Sequence, residues 1–182
     1  MLQRDRVTVL KQLPILAGLP DAAIERFAEG CLWRDYDAGK QVVGYQEVST
    51  DVYFLLTGKA RAIVYSAEGK AVVFADLKPG TMFGEIAAID RKPRSATIEA
   101  IEPCTIASLS AGQFESFMIG EPGLAVATLR HVAADVRRLS ERIFEFSTLA
   151  VQNRIHAELL RLAGETGQQG AGVVLSPAPS LS

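Results

Sequence analysis

Cysteine and histidine are scarce in this chain, with two of each in 182 residues. Cys31 and Cys104 lie far apart in sequence and form no C-x-x-C pair, which removes the usual signatures of a structural zinc site or an iron–sulfur cluster. Both are expected to behave as small buried apolar residues in a reducing cytosol. His131 and His156 stand alone, so a metalloenzyme centre, which needs clustered histidines and carboxylates, is not expected. Solvated or packing roles are the expectation for both. There is no signal peptide and no apolar run approaching membrane-spanning length, so a cytoplasmic chain with no membrane partner is expected. Charge of one sign is also missing: 19 Lys and Arg stand against 21 Asp and Glu, a net −2. No global field therefore favours nucleic acid or an anionic surface. Internal repeats and low-complexity tracts are absent within the main body.

Apolar residues make up 48% and charged ones 22%, enough for a sizeable core in one domain plus an appendage. The first thirteen residues suit a short helix with apolar Leu2, Val7, Leu10 and Leu13, broken by Pro14. Asp21 is placed to cap a second helix, with Ile24 and Phe27 inward and Gly30 at its end. From Cys31 to Ser110 the pattern shifts to short strands of period two. Gly58, Gly69 and Gly80 recur eleven residues apart, the spacing of successive antiparallel strands joined by tight turns. Val52-Tyr53-Phe54-Leu55-Leu56 is apolar throughout and reads as a strand buried on both faces. Strands are expected at 60–65, 71–77, 95–101 and 105–109. About eight such strands imply a sandwich or jelly roll.

Gly112 to about Ala150 reads as helix, with a break and a fresh start at Pro122. Leu129, Val132, Val136, Leu139, Ile143 and Phe146 follow at intervals of 3, 4, 3, 4 and 3. That is a heptad seam, with β-branched Val136 and Ile143 at a positions, as parallel two-stranded coils prefer. These six residues are the expected interface of a homodimer.

The stretch from Met82 to Ala100, MFGEIAAIDRKPRSATIEA, carries the chemistry. Phe83-Gly84-Glu85 ends an extended segment, and Ile86-Ala87-Ala88-Ile89 is long enough for one helical turn. Gly84 lets a ligand approach the backbone closely, since it has no Cβ. Glu85 can accept hydrogen bonds from a sugar hydroxyl, and Arg94 offers a planar charged fork for a phosphate. Ser95 adds a hydroxyl and Ala96 a backbone N–H. Taken singly, Glu85 reads as a helix-end acid and Arg94 as a solvated loop residue. Taken together they describe a pocket for a small anion bearing a sugar.

The pattern F-G-E-x-A…P-R-S-A-T resembles the phosphate-binding cassette of cyclic-nucleotide-binding domains, as in CRP/FNR-type regulators and protein kinase A regulatory subunits. The resemblance covers roughly residues 14 to 160. It implies a mainly β fold with flanking helices, a jelly-roll or double-stranded β-helix followed by a long dimerisation helix. It implies that Phe83, Gly84, Glu85, Ile86, Ala87, Arg94, Ser95 and Ala96 line the ligand site. Arg94 would pair with the cyclic phosphate, helped by Ser95 and the N–H groups of Ala87 and Ala96, while Glu85 would hold the ribose 2′-hydroxyl. Cyclic AMP is the leading effector, with cyclic GMP, cyclic di-GMP, a metabolite or no nucleotide as alternatives. No catalytic residue, metal or cofactor is implied. In CRP-type regulators two polar residues on the long helix meet the adenine. Aligned without gaps from Ser95, these fall at Leu139 and Ser140, so the serine is kept and the other hydroxyl is lost.

The domain reading that follows places N-terminal helices and β-roll at 1–110 and the dimerisation helix at 111–147. Residues 148–182 then begin a DNA-binding domain. Thr148 to Ala163 is expected to form an amphipathic helix ended by Gly164. The helix-turn-helix that would read DNA is expected to be missing, so contact with DNA would need a domain beyond this chain.

Overall fold

The computed structural model describes residues 3–66, 69–148, 156 and 158–161. The chain divides into two compact units, Met1–Leu129 and Arg130–Ser182. The first begins with α1 (Gln3–Leu10), a 3₁₀ turn (Pro14–Leu16) and α2 (Asp21–Gly30). Asp21 does not cap α2: the N-cap position belongs to Pro20, and Asp21 is the first helical residue. Its carboxylate instead pairs with Lys11 Nζ at 2.8 Å, tying α2 to the segment that follows α1.

Eight strands follow among the described residues: β1 (Leu32–Tyr36), β2 (Gln41–Val43), β3 (Val52–Thr57), β4 (Ala60–Tyr65), β5 (Ala71–Leu77), β6 (Met82–Phe83), β7 (Thr97–Ala100) and β8 (Cys104–Leu109). They form two four-stranded sheets in the orders β1-β8-β3-β6 and β2-β7-β4-β5, and every pairing is antiparallel. Between β6 and β7 lies the short α3 (Glu85–Asp90); after β8 come α4 (Ala111–Gly120) and α5 (Pro122–Thr148). Ser110 opens α4 with a capping box: its Oγ accepts from Gln113 N at 3.3 Å, and Gln113 Oε1 accepts from Ser110 N at 3.1 Å.

The unbroken apolar run of β3 is explained by what covers each face. Tyr53 and Leu55 join Val43, Ala60, Ala62, Phe83, Ile98 and Ile106 in a core built from residues of both sheets. Val52, Phe54 and Leu56 turn the other way, into a second core shared with Leu10, Ile24, Phe27 and Phe114 of the helices. Phe27 meets Phe54 edge-on at 5.2 Å, and Phe114 lies 6.3 Å from Phe54. A strand with a water-facing side would alternate; β3 has none, so it cannot.

Gly58 shows why the β3–β4 turn needs glycine. Its φ is +78°, and a Cβ there would sit 2.1 Å from the carbonyl oxygen of Pro103. Both cysteines are buried and unbridged. Cys104 Sγ donates to the carbonyls of Glu102 and Lys59 at 3.1 and 3.2 Å. On α5, Leu129 is exposed, Val132 is half-buried, and Val136, Leu139 and Ile143 are 57%, 39% and 67% exposed. The side chain of Phe146 lies outside the described residues. So does most of the expected helix over Thr148–Ala163, of which His156 and residues 158–161 are helical.

Candidate functional site

The segment after β6 turns sharply at Gly84, which stands at the N-cap of α3 with φ +83°. The six-residue α3 closes at Arg91, whose φ of 59° is left-handed and whose N–H donates to Ala87 O at 3.1 Å. Lys92 and Pro93 then return the chain, so that Arg94 points back beneath the start of the helix it follows.

Arg94 is only 2% exposed and is the largest of the fully buried side chains. Burying a guanidinium is costly unless its donors are satisfied. Here Nε donates to Ser49 Oγ at 2.9 Å, Nη2 to the carbonyl of Asp51 at 2.9 Å and Nη1 to the carbonyl of Gly84 at 3.1 Å. The Tyr53 ring lies under the charge, its centroid 5.3 Å from Cζ, a cation–π contact strengthened by desolvation. Tyr53 in turn stacks on Phe83 at 5.1 Å with the planes 10° apart. Burial pushes the Tyr53 phenol above its ordinary range, and the charge of Arg94 opposes that rise.

Main-chain bonds fix the same residue from the other side. Arg94 N donates to Glu47 O, and Gln46 N donates to Arg94 O, each at 3.0 Å. The loop 44–51 therefore grips Arg94 through backbone and side chain together. Within it Gln46 takes a left-handed φ of 64°, and the carboxylate of Glu47 accepts from Gly44 N at 2.9 Å. That bond first, then the Ser49 hydroxyl and the charge of Arg94, hold the Glu47 carboxyl below its usual range.

The expected site residues of the first unit fall out as follows. Gly84 and Arg94 are in direct contact. Glu85, 4% exposed, is buried as the first residue of α3, and Phe83 and Ala87 are buried beside it in sequence. Ile86 and Ser95 face solvent, and Ala96 is half-buried against the inter-sheet core. Leu139 and Ser140 belong to the second unit. The Ser140 hydroxyl donates to the carbonyl of Val136 at 2.8 Å, a bond within its own helix. Sequence reasoning missed Ser49, Asp51, Tyr53 and Glu47. Two of the three acceptors on Arg94 are backbone carbonyls, which no side-chain pattern announces.

A separate cavity of about 380 Å³ lies on the face of the second sheet that carries Arg61, Ile63, Tyr65, Val73 and Glu99. It includes none of the expected ligand residues. Its polar rim is internally paired, Arg61 with Asp76 at 2.6 Å and Tyr65 Oη with Glu99 at 3.3 Å.

Arg94 spends three of the five N–H donors of a guanidinium on its own chain, leaving one on each Nη. A buried fork of this kind, with one donor left on each Nη, suits two oxygens of a phosphate. Residues 33–120 match the cyclic nucleotide-binding domain family. That match spans just under half of the chain. Among curated relatives, this chain is similar to the cAMP-activated global transcriptional regulator CRP of Pasteurella multocida. It is 27% identical to it over 144 residues, covering 79% of this chain and 69% of that one. The fold matches the c-di-GMP responsive global regulator CLP of Xanthomonas campestris with a TM-score of 0.73 at 18% identity, over 84% of this chain and 76% of that one. It also matches the regulatory domain of Toxoplasma gondii PKA, solved with cAMP, with a TM-score of 0.64 at 21% identity. That match covers 72% of this chain and half of the Toxoplasma chain. The eight-stranded, two-sheet unit with flanking helices is thus the cyclic nucleotide-binding fold, followed by the long α5. Among the described residues no helix is long and apolar enough to cross a membrane.

Proposed function

We propose that this chain is the effector-sensing part of a CRP-type transcription regulator, and that it binds a cyclic mononucleotide, cyclic AMP first. The observation that carries this reading is the buried Arg94, held against Gly84 with two terminal N–H groups to spare and with Glu85 buried next to Gly84. Arg94 takes the cyclic phosphate, Ser95 and the N–H groups of Ala87 and Ala96 add to its grip, and Glu85 holds the ribose 2′-hydroxyl. Two chains pair through Leu129, Val132, Val136, Leu139, Ile143 and Phe146 of α5, and Leu139 and Ser140 contribute to the base site. Ligand binding shifts an equilibrium between dimer arrangements, which a DNA-binding domain reads. The reading makes the chain a non-enzymatic, cytoplasmic regulator with no cofactor.

A second reading keeps the fold and changes the effector to cyclic GMP or cyclic di-GMP. Leu139 favours it, because an apolar residue there removes a hydrogen-bond partner for the adenine amine. A solved structure of this fold belongs to a c-di-GMP responsive regulator.

Calorimetric titration with cyclic AMP, cyclic GMP and cyclic di-GMP in parallel separates the two. Saturation by cyclic AMP at one per subunit, lost in Arg94→Ala, supports the first reading; saturation by another nucleotide supports the second. No heat from any of the three, or full affinity in Arg94→Ala, overturns the site. Sedimentation equilibrium tests the seam: Ile143→Asp is expected to convert a dimer to a monomer, and an unchanged mass rejects pairing through α5.

A further inference from the structure

Of the three groups that accept from the Arg94 guanidinium, only Ser49 Oγ is a side chain. It accepts from Nε, the one donor on the shaft side of the fork, at 2.9 Å. That bond sets the rotation of the guanidinium plane, because Nε lies off the axis joining the two carbonyl contacts. The loop that carries Ser49 is itself tied down: the Glu47 carboxylate accepts from Gly44 N at 2.9 Å, and the Glu47 carbonyl accepts from Arg94 N at 3.0 Å.

We propose that Ser49, carried on the loop that grips Arg94, is a positioning residue that fixes the plane of the Arg94 fork and so sets its grip on a phosphate. The part of this proposal that concerns grip rests on the reading of Arg94 as the phosphate ligand. The part that concerns the fork does not. Ser49 stands outside the F-G-E-x-A…P-R-S-A-T stretch, 45 residues before the arginine it holds.

Two measurements on the full chain test it. The first needs no ligand: hydrogen exchange of the Arg94 Nε–H, followed by nitrogen-15 NMR and assigned as the signal lost in Arg94→Lys. Ser49→Ala is expected to speed this exchange at least tenfold, while Ser49→Thr, which keeps the hydroxyl, stays within about twofold of the wild type. Ser49→Gly, which also removes the hydroxyl, is expected to match Ser49→Ala and stands in for it should that variant not fold. Exchange unchanged in Ser49→Ala, or in Ser49→Gly where that variant stands in, overturns the proposal whatever the protein binds. The second measurement is calorimetric titration with cyclic AMP. Ser49→Ala is expected to bind about tenfold more weakly, with Ser49→Thr restoring affinity. Faster exchange with unchanged affinity overturns the claim on grip. Failure of the wild type to bind any cyclic nucleotide overturns the functional reading instead, and leaves the exchange result to decide on Ser49.

Discussion

Replacing Gly84 with alanine adds one methyl group at the point where the site is tightest. Two costs can be read from the structure. The residue sits at φ +83°, and an L side chain in the left-handed region costs about 1–2 kcal/mol. The new Cβ would lie 2.6 Å from Arg94 Nη1, 2.9 Å from the carbonyl oxygen of Asp51 and 3.2 Å from Tyr53 Cδ2. The arginine tip could swing away, but the Asp51 carbonyl is main chain immediately before β3 and cannot. Overpacking of this kind costs about 1–3 kcal/mol. The total, about 2–5 kcal/mol, corresponds to a fall in Tm of about 5–20 °C for a chain of this size. Gly112→Ala in α4 is the matched control: its Cβ meets nothing within 4 Å and its φ is not positive. Alanine there is expected to leave Tm unchanged or raise it, by about 0.5–1 kcal/mol. The assay is thermal unfolding by circular dichroism on wild type and both variants, with cyclic AMP titration alongside. Gly84→Ala is also expected to lose nucleotide affinity, since relief of the 2.6 Å contact displaces Nη1. A Gly84→Ala protein with wild-type Tm and affinity would refute the packing account of the site.

Two further outcomes follow from groups whose titration the fold displaces. Burial pushes the Cys31 thiol up to about 12, with the charge of Arg6 opposing, and also raises Cys104; neither is expected to react with iodoacetamide at about pH 8 in the folded chain, whereas both react in denaturant. Alkylation of the native protein at either thiol, read by mass spectrometry, would contradict that burial. Glu47 titrates below its ordinary value of 4.5, so its contribution to stability is present above that value and is lost as pH falls through the lower, folded one. The Tm difference between wild type and Glu47→Gln is therefore expected to be full near pH 6 and to shrink in acid below about 4.5. A difference that grows in acid would reverse the sign.

What was legible in the sequence was whatever depends on a side chain's own periodicity or shape. The apolar run 52–56 announced a strand covered on both faces, and it is covered by the other sheet on one side and by α2 and α4 on the other. The eleven-residue spacing of Gly58, Gly69 and Gly80 marked turns, and all three glycines take positive φ. The expected strand 95–101 is shorter in the structure, Thr97–Ala100. Ser95 and Ala96 are spent on leaving the Arg94 turn. Asp21 failed as a cap because Pro20 already supplies the extended residue before α2, and the nearer ammonium of Lys11 claims the carboxylate. Of the expected site residues, residue type and spacing singled out Gly84 and Arg94, which meet in the structure. The acceptors of Arg94 were not legible, because Asp51 and Gly84 act through carbonyls that every residue possesses. Ser49 belongs to a stretch, Val48-Ser49-Thr50-Asp51, with no regularity to single it out. Arg94 alone read as a solvated loop arginine; the tertiary fold makes it the largest fully buried side chain.

If Arg94 holds the phosphate as proposed, that burial gives it two employments that evolution need not keep together. It holds the segment before β3 against the start of α3 and the segment before β7, bridging stretches 43 to 45 residues apart, and it does so with bonds to main chain that survive drift in the surrounding side chains. A descendant that stopped responding to any effector would still be penalised for losing this arginine, since its removal strands two half-buried carbonyls and a hydroxyl. Purifying selection on position 94 therefore acts through folding as well as through signalling. On the proposed reading, the positions free to record a change of ligand are those with no such second duty, such as solvent-facing Ser95.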